Sequence, residues 1–147
     1  MAPGYFHPNG TQAALFSSDS RATVARHFQW MEAYGIDGVA IQRFGVEVGA
    51  ARHKRVLNYS LAAAAVTARV LFVEYDLSGM HEADIVPTLT KDWAALVAEG
   101  VTSNPRYLHQ GGVPVVGVFG FYMDRFSAET ATAILDIFQK DGAAKVK

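Results

Sequence analysis

Apolar positions recur along the chain with two alternating spacings. Ser17-Ser18-Asp19-Ser20 offers N-cap side chains, and Val24, Phe28 and Met31 follow at helical spacing until Gly35, so an amphipathic helix is predicted over residues 20–34. Gly38 to Phe44 is an apolar run that turns polar only at Gln42-Arg43, the pattern of a buried parallel strand with hydrophilic groups at its C-terminal end. Alanines with Leu57, Leu61 and Val66 predict a second helix over 50–68, and residues 70–76 repeat the strand pattern, ending in Glu74-Tyr75-Asp76. Pro87 argues against one unbroken helix from His81 to Glu99, so a loop is expected first and a helix from Thr90 to Gly100. Residues 113–119 read as a third strand, and Ser127 caps a last helix with Ile134, Leu135 and Phe138 that ends at Gly142.

A helix followed by three strand-helix units is an α/β pattern. Predicted strands begin at 38, 70 and 113, separated by 32 and 43 residues, against roughly 31 residues per unit in an eight-unit barrel, a period that fits a βα barrel. An open doubly wound sheet would suit the periodicity nearly as well, but no glycine-rich phosphate turn follows Phe44. The expected fold is a partial (β/α)8 TIM barrel of three to four βα units. So few units cannot close a barrel, and open sheet edges invite association. The chain is expected to be a single domain over 1–147 that is either a fragment of a larger barrel or pairs with another copy.

Composition narrows the function classes. Half of the 147 residues are apolar and 18% charged, enough for a packed core. Lysine and arginine number 13 against 14 acidic residues, so no basic excess points to nucleic acid. No run is long and apolar enough to suggest a membrane span, and Met1 to Tyr5 shows no secretory signal pattern. There is no cysteine, and the five histidines have no metal-ligand spacing, so no metal and no cofactor is expected. Marks of acyl transfer, nucleotide hydrolysis and hydride transfer are missing as well.

Active groups of parallel βα folds collect at the C-terminal ends of strands. Those ends carry Gln42, Arg43, Glu74, Tyr75 and Asp76, with Phe121 and Tyr122 after the third strand. Glu74 and Asp76 leave one face of their strand roughly 6.6 Å apart. Burial and like-charge repulsion should raise at least one of their pKa values, as general acid/base work requires. Rings beside carboxylates and an arginine suit sugar C–H faces and hydroxyls. In the purely structural alternative, Asp76 accepts hydrogen bonds from the Leu77-Ser78-Gly79 turn, Glu74 pairs with Arg43, and the rings, Trp93 above all, fill the core.

Three stretches taken together resemble a known group: residues 27–39 (HFQWMEAYGIDGV) running into Gln42-Arg43-Phe44, residues 73–80 (VEYDLSGM), and Tyr107-Leu108-His109 followed by Val113 to Val116 and Gly120-Phe121. They are similar to glycoside hydrolases of families 71 and 99, particularly bacterial endo-alpha-mannosidase-like proteins and those carrying xylosidase/arabinosidase names. The opening Phe6-His7-Pro8-Asn9-Gly10 is similar to a loop of the same group. The resemblance implies a (β/α)8 barrel about twice this length, secreted or periplasmic, acting without a metal on an oligosaccharide or polysaccharide. It implies that Asp76 faces the sugar subsites, with Gln42, Arg43 and Tyr75 beside it. Glu74 departs from the apolar residue often found at its place, which ranks Asp76 above it as the catalytic candidate. The principal catalytic carboxylates of the group lie on later strands, so truncation before them is expected.

The leading expectation is therefore a glycoside hydrolase-like domain that hydrolyses or binds glycans. The alternatives are a non-catalytic half-barrel that binds carbohydrate or a partner and forms a homo-oligomer, and an unrelated βα enzyme using Glu74 and Asp76 as acid and base.

Overall fold

Helix α1 (Arg21–Ala33) leads into strand β1 (Gly38–Phe44), helix α2 (Ala51–Thr67) and strand β2 (Val70–Asp76) in the computed structural model, which describes residues 4–13, 16–122 and 125–139. Helix α3 (Glu82–Ala98), a short antiparallel pair β3 (His109–Gln110) and β4 (Val113–Pro114), strand β5 (Val116–Phe119) and helix α4 (Ala128–Gln139) complete it. The main sheet has the order β1-β2-β5, all parallel, with Gly38 opposite Val70 and Val73 opposite Val116.

Local chemistry explains where the elements stop. The Ser20 hydroxyl accepts from the Thr23 amide at 3.4 Å to cap α1. At its other end Gly35 takes a positive φ, and the amides of Gly35 and Ile36 return to the carbonyls of Glu32 and Met31. The same pair of bonds closes α3 at Gly100, from the amides of Gly100 and Val101 to Val97 and Leu96. Helix α2 ends differently, on Ala68 with φ +56.

Two elements differ from the sequence expectation. Helix α3 runs unbroken from Glu82, with Pro87 inside it and Thr90 mid-helix, donating its hydroxyl to the Val86 carbonyl at 2.8 Å. Pro87 removes the amide that would bond the Ala83 carbonyl, but both residues lie on the exposed face, where solvent can satisfy that carbonyl. Glu82 and Asp84 in the first turn further favour a start there.

The predicted strand 113–119 is also divided. Gly111 and Gly112, both at positive φ, turn β3 back onto β4, and only 116–119 joins the parallel sheet. Upstream, the Arg106 carbonyl accepts from Leu71 and the Leu108 amide donates to Leu71, so the chain pairs with the start of β2, leaves as a hairpin, and returns. Tyr107 spans the gap: its hydroxyl donates to the Val115 carbonyl at 2.9 Å and accepts from the Val73 amide at 3.2 Å. The expected end of the last helix at Gly142 lies outside the described residues.

Strand alternation sorts the sheet into two faces. Leu71, Val73 and Tyr75 are fully buried against the helices, where Trp93 meets Phe138 edge-on and Tyr75 stacks on the same ring. The opposite face carries Ala40, Gln42 and Phe44 on β1, Phe72, Glu74 and Asp76 on β2, and Gly117 and Phe119 on β5. Apart from Asp76, these residues are only partly covered or exposed.

Candidate functional site

Asp76 is the last residue of the central strand, 3% exposed. Strand β1 brings Gln42 within reach, and its Nε2 donates to Asp76 Oδ2 at 2.6 Å. The chain turns directly after the strand, so the Ser78 amide folds back onto Asp76 Oδ1 at 2.8 Å. Burial pushes the Asp76 carboxyl up, but the Ser78 hydroxyl and amide, the Gln42 amide and the Arg125 charge outweigh it and hold the group below its ordinary value. Asp76 is thus an ionised, oriented acceptor across the neutral range. The expected upward shift from like-charge repulsion is not what the structure gives for Asp76, because donors rather than Glu74 dominate its surroundings.

Glu74 lies on the same face, opposite Gln42 on one side and Gly117 on the other. A Cβ at position 117 would stand 3.2 Å from the Glu74 Cγ and equally close to Phe72, so the glycine leaves room for this side chain. Glu74 makes no hydrogen bond among the described residues. Its expected pairing with Arg43 is absent, since Arg43 points through the other face.

Arg43 and Tyr75, expected beside Asp76, instead meet Asp92 of α3. Arg43 Nε and Nη2 donate to the two Asp92 oxygens at 2.9 and 2.5 Å, and the Tyr75 hydroxyl donates to Asp92 Oδ2 at 2.7 Å. Burial first, then the Asp92 charge, pushes the Tyr75 hydroxyl well above its ordinary range. The reason is parity. Residues 43 and 75 are one step from 42 and 76 along their strands, and so face the helices. Sequence reasoning missed Asp92, although the signal was there: it sits on the buried stripe of Ile85, Leu89, Trp93 and Leu96, where a carboxylate requires a partner.

Arg125 was missed as well. Its Nη2 donates to the Leu77 carbonyl, beside Asp76, and its Nε is buried without a partner among the described residues. Phe121 and Tyr122 follow β5 at the same end of the sheet, partly exposed, with Phe121 edge-on to Phe126 at 5.3 Å. Trp93 belongs to the core. The basic run Arg52 to Arg55 forms surface pairs: Arg52 with Glu47, Lys54 with Glu99 and Arg55 with Asp19.

No family model matches this chain, and no curated protein does. Among solved structures, the chain is similar to the GH99 endo-alpha-mannosidase from Bacteroides thetaiotaomicron, with a TM-score of 0.59 and 14% identity over 83% of this chain. The same holds for that enzyme in complex with bis-tris propane, at TM-score 0.59 and 14% identity. This chain covers 33% and 35% of those two chains, about a third of their length. The fold is that of part of a (β/α)8 barrel, its parallel strands alternating with helices. No helix among the described residues is long and apolar enough to cross a membrane.

Proposed function

We propose that this chain is the glycan-binding portion of a glycoside hydrolase-like barrel, with Asp76 as the group that holds sugar hydroxyls. The observation that carries this reading is the ionised Asp76, oriented by Gln42 and Ser78 at the C-terminal ends of parallel strands, where such folds keep their ligands. The likeness to a mannosidase barrel supports the class of ligand. Glu74 and Gln42 extend the polar strip, while Phe121 and Tyr122 supply rings at the same end. Arg43 and Tyr75 act from behind the sheet by fixing the strand ends. Glycoside hydrolysis requires two carboxyl groups, one of them protonated. Held ionised, Asp76 suits the stabilising partner rather than the acid, and a complete barrel would bring the second group from later strands. Such a protein works outside the cytoplasm on polysaccharide or oligosaccharide.

Titration of the chain with an α-linked manno-oligosaccharide, followed by calorimetry, tests this. Asp76→Asn keeps the shape and removes the charge, and affinity should fall tenfold or more, about 1.4 kcal/mol per decade. Unchanged affinity in that variant, or no heat at millimolar sugar, overturns the reading.

A second reading has its own observation. Among the described residues, strands β1 and β5 each have one unpaired edge, and the face between them exposes Phe44 and Phe119. That arrangement favours a half-barrel that associates with a second copy, which light scattering would detect as a concentration-independent dimer.

A further inference from the structure

Asp76 takes one of its hydrogen bonds from the Ser78 amide, and that amide belongs to the same planar peptide unit as the Leu77 carbonyl. Whatever fixes the carbonyl therefore aims the donor. Two groups do so: the Met80 amide, from within the turn, donates to the Leu77 oxygen at 3.2 Å, and Arg125 Nη2 donates to it from just ahead of α4. On its other side, the Leu77 amide donates to the Phe119 carbonyl at 3.1 Å. Leu77 is fully buried, and a Cβ at Gly120 would stand 3.4 Å from the Leu77 Cβ, so the turn is seated against the end of β5.

The charge of Arg125 is balanced differently from that of other arginines. Arg43, Arg52 and Arg55 each sit on a carboxylate, at Asp92, Glu47 and Asp19. Arg125 is half-buried and forms no ion pair among the described residues; a backbone carbonyl accepts from its Nη2, and its Nε is buried. A guanidinium held that way is costly unless a negative charge lies near it. Asp76 supplies that charge, and Arg125 in turn acts through space to help hold the carboxylate ionised. On the flanking strands the same face carries Gln42 and Phe44 on β1 and Gly117 and Phe119 on β5, none of them charged. Glu74, a like charge, is the other ionisable group beside Asp76 on that face of β2.

We propose that Arg125 is a positioning residue for Asp76: it clamps the Leu77–Ser78 peptide plane so that the amide faces the carboxylate, and it sets a positive charge near that carboxylate. Without it the plane would rest on the neutral Met80 bond, whereas a bond from a guanidinium is roughly twice as strong. The rim is then built by two βα units, the acid coming from β2 and the cation that holds it from ahead of α4. The proposal extends the glycan reading of Asp76, and its decisive measurement uses no sugar.

Carboxyl carbon NMR of the full chain across an acid titration follows Asp76, while the Ser78 amide proton reports the hydrogen bond. Arg125→Met should raise the Asp76 midpoint and move the Ser78 amide toward its unbonded position. Arg125→Lys returns the charge and should bring the midpoint back; Arg125→Gln returns only a neutral donor and should restore the Ser78 amide more than the midpoint. If Arg125→Met does not fold, the Gln and Lys variants decide by the same two signals. An Asp76 midpoint and a Ser78 amide that stay in place in these variants, even with a lowered melting temperature, overturn the proposal and leave Arg125 a clasp between loops. Calorimetry with an α-linked manno-oligosaccharide then addresses the site itself: affinity should fall severalfold in Arg125→Met and recover in Arg125→Lys. A midpoint that moves as expected in a chain that binds no sugar overturns the glycan reading alone.

Discussion

One carboxylate shows how much hangs on a single residue. Asp92 receives Arg43 in a bidentate pair and the Tyr75 hydroxyl on one of the same oxygens, with the Arg43 side chain only 5% exposed. Removing one partner of a buried pair leaves the other charge desolvated, at a cost of about 3–5 kcal/mol. Asp92→Ala should therefore lower the urea midpoint strongly. The double variant Asp92→Leu with Arg43→Met should recover much of the loss, because no charge is then left unpaired. Equal loss in both variants would show that packing rather than charge governs the site. The candidate residues were legible as a set of polar strand ends, yet their division between two faces was not. A one-residue shift in strand pairing reverses which of them meet, and only the register of Gly38 with Val70 decides it.

Helix ends are where elements are tied together. The Glu82 carboxylate, in the first turn of α3, accepts from the Ser127 amide and hydroxyl and from the Thr130 hydroxyl at 2.7 to 2.8 Å, all through one oxygen at the start of α4. These bonds bring its pKa down from 4.5 to about 2, the Ser127 hydroxyl contributing most. A depressed folded-state value means stability present above pH 4.5 and lost as pH falls toward 2. Glu82→Gln should flatten that part of the acid-unfolding curve measured by circular dichroism, and an unaltered curve would count against the tie. Ala68 ends α2 at φ +56, a conformation costly for a residue with a Cβ. Ala68→Gly relieves about 1–2 kcal/mol of strain and adds about 0.5–1 kcal/mol of unfolded-chain entropy, so a net gain of about 0.5–1 kcal/mol is expected in a thermal melt. The element pattern itself was readable: β1 and β2 stand where apolar runs with polar ends predict them. Only the first half of α3 and the division of 113–119 escaped that reading, because Pro87 is harmless on a solvent-facing turn and Gly111-Gly112 folds the start of the run, Val113–Pro114, into a hairpin that leaves 116–119 for the sheet.

For the molecule as a whole, the open face of the sheet is where the proposed contact with a second copy would form. Phe119 is 50% exposed at the end of the edge strand β5, beside the exposed loop rings. Phe119→Lys places a charge on that face, as natural edges do to discourage pairing, and should reduce self-association in sedimentation velocity while leaving the melting temperature nearly unchanged. Unaltered association would locate the contact elsewhere.

The sequence by itself determined that apolar runs with hydrophilic C-terminal ends alternate with amphipathic helices, since burial of one side of a helix and of the strand interior is written into residue spacing. It also placed Asp76 at a strand end followed by a turn able to donate to it. Which side chains share a face, that Gln42 rather than Arg43 holds Asp76, and that an acid in mid-α3 secures Arg43 and Tyr75 were decided only by tertiary structure. Those contacts join residues 17 to 49 positions apart, and their partners are chosen by strand register and helix packing, quantities that no local window of sequence contains.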